Sequence, residues 1–268
     1  MGDLTGVTIG VTAERRAEEF IGALERNGAT VRHAPLIHIV PLSDDDRLRQ
    51  ATDAVLAEPI DMLAVTTGAG FGGWCDAAEG WGLGPELLDV LSRTRIFVRG
   101  PKGKGAVRGR GLVEEWAAPE ESNRQLFQHL LESGVDGRRV AVQLHGSPLP
   151  GHTAALTAAG ARLIEVQPYR WEWPADLDPA DRLLDAMLDG QVDALAFTSA
   201  PASSNLLDLA RRRGRYDEVV RALRKDVVCA CVGPVTAAPL ADAGVPTLQP
   251  DRQRLGALVK LLVSELGR

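Results

Sequence analysis

The chain has 268 residues, 45% of them hydrophobic but only 4% aromatic, with a formal net charge of −6 and a pI near 5.5. An aliphatic chain of this length carries apolar surface for one or two α/β domains, and its acidic balance excludes a broad basic face for nucleic acid. No apolar run approaches the ~18 residues of a membrane span, and the N-terminal MGDLTGVTIGVT lacks the charged and apolar regions of a secretory leader, so the sequence predicts a soluble, cytoplasmic protein, monomeric and without membrane partners.

Strands are predicted at 7–11, 30–33, 62–66, 95–98, 139–144, 162–166, 194–198 and 227–232, most of them continuous apolar runs, which suit parallel strands buried on both faces. Helical spacing falls between them, at 17–26 (Phe20, Ile21 and Leu24 on one face), 86–92, 123–132, 153–159, 179–188, 204–212 and 255–266. Gly28, Gly160 and Gly244 follow helical segments as C-terminal stops. The alternation predicts an α/β fold of doubly wound parallel sheets.

The pattern also recurs. DMLAVTTGAGFGGW from Asp61 matches DALAFTSAPASSNL from Asp193, 132 positions on, and IFVRGPKGKGAVRGRGL from Ile96 matches CACVGPVTAAPLADAGV from Cys229, 133 on. A period of half the molecule predicts an internal duplication into two α/β domains, since solenoid repeats run at about 20 to 50 residues. Two proline-bracketed extended segments, PLIHIVP from Pro35 and QPYRWEWP from Gln167, read as interdomain strands. The expected organisation is therefore 1–35 with 174–268 as one discontinuous domain, 42–166 as an inserted domain, and 36–41 with 167–173 as a two-stranded linker.

In open parallel sheets, ligands bind beyond the carboxyl ends of the strands. Here those ends are small and polar: Thr12 with Arg15; Thr66, Thr67 and Gly68; Arg99 and Gly100; His145 and Ser147; Thr198, Ser199 and Ala200; Gly233 and Thr236. Such residues cap helices, and they also bond ligands. Arg99, Lys102, Lys104, Arg108 and Arg110 contain no acid among them, which predicts an anionic ligand, with Lys102 and Lys104 placed in a loop as its contacts; a solvated basic helix face is the alternative. GAGFGG at Gly68 satisfies a dinucleotide fingerprint, but it follows the wrong strand and Arg99 stands where an acid belongs.

No GxSxG elbow is present, His145 and His152 lack metal-ligand spacing, and His33, His38 and His129 read as structural or surface residues. Cys75, Cys229 and Cys231 cannot all pair and read as reduced residues without a metal; Cys229 and Cys231 share one strand face. Tyr169, one of two tyrosines, lies in the second linker and presents a phenol there.

TSAPASSNL and VGPVTAAPLADAGV, the Pro35-Leu36-Ile37 crossover and the return through Val166, Tyr169 and Arg170 resemble uroporphyrinogen-III synthases through nearly the whole chain. The resemblance implies two α/β domains on a two-stranded linker. It implies closure of linear hydroxymethylbilane to uroporphyrinogen III, with inversion of the last ring and no metal or cofactor. The reaction would pass through loss of the hydroxymethyl hydroxyl to an azafulvene and then a spiro intermediate, with Tyr169 as general acid. It also implies that Thr66, Thr67, Thr198, Ser199 and Thr236 bind carboxylates of the substrate. The chain departs from the family at TTGAGFGGW, at RGPKGKGAVRG and at Ala13. Some bacterial relatives carry a C-terminal winged helix, so the alternative is a tetrapyrrole- or anion-sensing domain of a transcriptional regulator whose DNA-binding domain is absent from this chain.

Overall fold

A computed structural model of the protein describes residues 3–267; positions 1–2 and 268 of the expected first domain lie outside them. The described residues divide into two compact units, one running to His38 and resuming at Glu172, the other spanning Ile39–Trp171.

In the first unit, β1 (Thr8–Val11), β2 (Thr30–His33), β10 (Ala194–Phe197) and β11 (Val228–Cys231) form a parallel sheet in the order β11-β10-β1-β2. Around it run α1 (Ala17–Glu25), α8 (Asp178–Leu188), α9 (Ala200–Arg212), α10 (Tyr216–Lys225), α11 (Pro234–Asp242) and α12 (Leu255–Leu266).

In the second unit, β4 (Met62–Val65), β5 (Arg95–Val98), β6 (Trp116–Ala117), β7 (Arg139–Gln143) and β8 (Arg162–Val166) form a parallel sheet in the order β6-β5-β4-β7-β8. Its helices are α2 (Asp46–Ala57), α3 (Gly68–Gly80), α4 (Gly84–Ser92), α5 (Pro101–Gly109), α6 (Asn123–Glu132) and α7 (Pro150–Ala158). β3 (His38–Pro41) and β9 (Tyr169–Glu172) make a separate two-stranded sheet. Among the described residues no helix is long and apolar enough to cross a membrane.

The inner strands β4, β7 and β10 are buried on both faces, as their composition suggests, whereas the edge strands β2 and β8 are partly exposed. In β4, Leu63 and Val65 join one core cluster with Phe71 and Trp74, while Met62 and Ala64 join another with Phe97 and Phe127. Alternate side chains of one apolar strand thus serve opposite helix layers. Buried Trp74 has a polar partner: its Nε1 donates to Thr52 Oγ1 (2.9 Å), which donates to the Leu48 carbonyl (2.8 Å).

The recurring aspartate has a shared structural job. Asp61 accepts from the backbone N–H of Arg139 (2.8 Å) and Asp193 from that of Thr8 (2.7 Å), so each ties the start of its strand to the neighbouring strand. The Arg139 amide, and then Arg138, hold Asp61 below the usual carboxylate range.

Five helical segments escaped the sequence pattern. α3 and α5 are glycine-rich, α11 contains Pro239, and α2 and α10 lie where the sequence suggested none. In α3 packing dictates Gly68 and Gly70 and not Gly72 or Gly73: a Cβ on Gly68 would stand 2.2 Å from the Lys102 carbonyl oxygen of α5, whereas one on Gly72 or Gly73 would meet nothing within 4 Å. Tertiary contact there overrides glycine's poor helix propensity. It also gives the GAGFGG run a purpose that needs no dinucleotide.

Candidate active site

In the sheet of the second unit the chain builds outward from β4 to β5 and β6, then restarts at β7 and proceeds to β8 on the other side. β4 and β7 therefore flank the switch point, where the carboxyl ends of two diverging strands leave a crevice. Thr66 and Thr67 end β4, while Gln143, Leu144 and His145 end β7. β9 adds Tyr169, whose hydroxyl lies 3.3 Å from Thr67 Oγ1.

A network beneath that contact fixes it. Fully buried Gln143 accepts from the Thr67 backbone N–H at Oε1 (3.1 Å) and directs Nε2 to the Leu144 carbonyl and to Thr67 Oγ1 (3.5 Å). Thr67 Oγ1 also accepts from the Gly70 N–H (3.1 Å), capping α3. Gly70 has no side chain because Gln143 occupies the space: a Cβ there would lie 2.1 Å from Nε2.

Three further groups adjoin the phenol. Arg99, at the end of β5, is partly buried and makes no ion pair among the described residues; burial lowers its pKa, against the opposing pull of Tyr169 and Glu121. His145 stacks on Trp171 (centroids 5.1 Å apart), and Trp171 in turn lies 6.4 Å from the Tyr169 ring. Gly146 lets the indole approach, since a Cβ there would fall 2.6 Å from it. Burial, and then the charge of Arg99, push His145 down to about 4. It is therefore a neutral imidazole at neutral pH, able to hydrogen-bond a ligand but not to attract one as a cation. Ser147 Oγ lies 3.5 Å from its Nδ1.

The basic run is largely engaged with acids outside it. Lys104 and Arg108 both pair with Glu114 (2.9 and 2.8 Å), and Arg110 pairs with Asp76 and Glu79. Arg108, assisted by Lys104, holds Glu114 down to about 2. The expected loop placement is corrected: Lys102 and Lys104 lie in the first turns of α5, and Lys104 is ion-paired.

Two threonines are likewise committed to the scaffold. Thr12 Oγ1 donates to the Ala196 carbonyl (3.0 Å) and Thr66 Oγ1 to that of Gln143 (2.8 Å), both fully or almost fully buried, so neither hydroxyl proton is offered to a ligand.

In the first unit the switch point falls between β1 and β10. Thr198, Ser199 and Ala200 are partly exposed there, and Ser199 stands at the N-cap of α9 without bonding it through its side chain. Thr236 is 5% exposed, and its carbonyl accepts from Ser203 Oγ (2.8 Å). Arg15 is exposed. Gly100 and Gly233 precede α5 and α11 with extended backbones that any residue could adopt. The side chains of Glu121 and Gln253, 132 positions apart, lie over them at 3.1 and 2.6 Å from a would-be Cβ.

Gln143, Trp171 and Glu121 were not singled out in the sequence. A polar residue closing the apolar run RVAVQ was the one available signal, and it marked Gln143. The three cysteines are free and buried, and no group of three or more His, Cys, Asp or Glu that could hold a metal occurs among the described residues.

Comparison with known proteins places these features in one family. The family model for uroporphyrinogen-III synthase HemD matches residues 18–260. The crystal structure of a mutant uroporphyrinogen III synthase from the extremely thermophilic bacterium Thermus thermophilus superposes with a TM-score of 0.77 at 29% identity, covering 97% of this chain and 100% of that one. The uroporphyrinogen-III synthetase of Helicobacter pylori shares the fold, with a TM-score of 0.53 at 14% identity, over 96% and 99% of the two chains. The uncharacterized protein YjjA of Bacillus subtilis is 30% identical over 257 residues, 96% of this chain and 94% of that one. With a family model matched over most of its length and an α/β fold of two parallel sheets in common, this chain belongs to the uroporphyrinogen-III synthase family.

Proposed function

We propose that the protein closes hydroxymethylbilane to uroporphyrinogen III, with Tyr169 as the group that assists departure of the hydroxyl. The observation that carries this reading is the phenol of Tyr169, held by Thr67 at a sheet switch point beside an unpaired guanidinium, Arg99, and a neutral imidazole, His145. Arg99, which makes no ion pair among the described residues, offers its guanidinium to a substrate carboxylate. His145 and Ser147 offer hydrogen bonds without charge, and Lys102 an exposed ammonium. Thr198, Ser199, Ala200, Gly233 and Thr236 are the proposed carboxylate contacts of the first unit, with Arg15 at the end of β1.

In the chemistry implied, the bond between the terminal methylene carbon and its hydroxyl oxygen breaks, and the bonding electrons leave on oxygen. Tyr169 supplies a proton, so that water departs and a conjugated azafulvenium cation, the protonated azafulvene, remains beside a tyrosinate. The substituted carbon of the far ring attacks that carbon, and the spiro intermediate rearranges with loss of a ring proton, which restores the phenol. No net oxidation or reduction occurs and no cofactor is called for. Holding the chain ends together does most of the work. Loss of Tyr169 should therefore cost no more than the lower end of the about 10²–10⁴-fold that general acids contribute.

The test is hydroxymethylbilane turnover by the purified protein, with oxidised products resolved into type I and type III isomers. Type III product, slowed but not abolished in Tyr169→Phe, is expected. Type I alone, the spontaneous product, would overturn the proposal.

A further inference from the structure

We propose that Gln143 sets the direction of the Thr67–Tyr169 hydrogen bond, making Thr67 the donor and leaving the phenolic proton of Tyr169 to point into the site. The inference deepens the reading of Tyr169 as proton donor and rests on it. The geometry leaves either oxygen of this 3.3 Å pair as a possible donor, so direction must come from the remaining bonds of each group.

The amide of Gln143 has one orientation. The Thr67 N–H needs an acceptor, which must be Oε1, and the Leu144 carbonyl needs a donor, which must be Nε2. The second Nε2 proton then faces Thr67 Oγ1, 3.5 Å away. A threonine hydroxyl has two acceptor sites and one proton. Its acceptor sites meet the Gly70 N–H at 3.1 Å and Gln143 Nε2, so what remains is the proton, and the group placed to receive it is Tyr169 Oη. Tyr169 accepts, and its own proton is turned away from Thr67. A phenol that receives a hydrogen bond also disperses the charge it gains when it releases its proton.

The arrangement belongs to one unit only. The counterparts of Gln143, Thr67 and Gly70, 132 positions away, are Val11, Ser199 and Ala202, and Ser199 makes no capping bond. It gives a reason for the glycine at position 70 in TTGAGFGGW, because any side chain there would displace the Gln143 amide. Gln143 is thus a positioning residue, acting on the chemistry through Thr67.

The test reads direction without turnover. Tyr169 and Tyr216 are the two tyrosines, so in a Tyr216→Phe background the Raman Fermi doublet of the phenol ring reports Tyr169 alone. Its intensity ratio is high for a phenol that accepts a hydrogen bond and low for one that chiefly donates. A high ratio is expected, retained in Thr67→Ser and lowered in Thr67→Val. Gln143→Glu should lower it as well, because a carboxyl oxygen in place of Nε2 draws the Thr67 proton to itself and turns Tyr169 into the donor. In turnover, Gln143→Glu and Thr67→Val should lower kcat about tenfold with little change in KM, as loss of one hydrogen bond from the transition state would. Thr67→Ser should restore kcat. A ratio that is low in the parent, or unmoved in a Gln143→Glu protein whose circular dichroism is native, would overturn the proposal. Full activity in Tyr169→Phe would instead remove the acid role and leave the hydrogen-bond direction standing, so the two failures are distinguishable.

Discussion

His145 offers a pH test of the site's electrostatics. Its imidazole, ordinarily near ~6.5, is held at about 4 by burial and by the charge of Arg99. The unfolded chain therefore binds a proton between these values that the folded chain refuses. By linkage, stability rises with pH through this window and is lost as pH falls through it. Each decade is worth about 1.4 kcal/mol, so between pH 8 and pH 4.5 the fold should lose about 2.5 kcal/mol through this one residue. Many carboxylates also titrate at the acid end, so the readout is a difference. Urea denaturation of the parent and of His145→Gln at both pH values should give a pH-dependent loss about 2.5 kcal/mol smaller in the variant, whatever its absolute stability. Arg99→Met should recover the smaller part of that difference, because burial is the larger cause. Equal pH dependence in parent and His145→Gln would refute a buried, neutral imidazole, and with it the environment argued for Tyr169.

The glycines of α3 make a paired prediction. Gly68→Ala places a methyl 2.2 Å from a backbone carbonyl that cannot rotate away and should cost about 1–3 kcal/mol, whereas Gly72→Ala, with nothing within 4 Å, should be neutral or stabilise by up to about 1 kcal/mol; thermal melts that rank the two alike would remove the packing account of this helix. Glu114→Gln should cost about 1–2 kcal/mol at pH 7, a figure kept low because Lys104 and Arg108 are 42% and 56% exposed and screened. Since Glu114 is held at about 2, its contribution is present above about pH 4.5 and fades as pH falls toward 2, so parent and variant should converge in acid. A gap independent of pH would assign Glu114 a packing role instead.

The sequence by itself determined the sheets. Parallel strands buried on both faces are written as unbroken apolar runs, a local signal that marks the inner strands, and each of the eight predicted segments contains a strand of one of the two larger sheets. The recurrence of Asp61 at Asp193 and of Gly100 at Gly233 was equally legible, and the structure shows a strand tie at the first pair and a close approach at the second. Helices whose composition answers to a neighbour rather than to intrinsic propensity were not legible: α3 carries Gly68 and Gly70 where α5 and Gln143 press on it. The site divides along the same line. Tyr169 and Thr67 could be named from sequence, but their contact spans 102 positions and its support from Gln143 another 76; the pairing of β4 with β7 closes the second distance, and the first is closed by where β9 sets Tyr169. The basic run looked free because its acids, Asp76, Glu79 and Glu114, lie outside it. Residue type and local period are properties of the chain, whereas which charge is neutralised and which hydroxyl keeps its proton depend on neighbours that only the folded backbone brings within bonding distance.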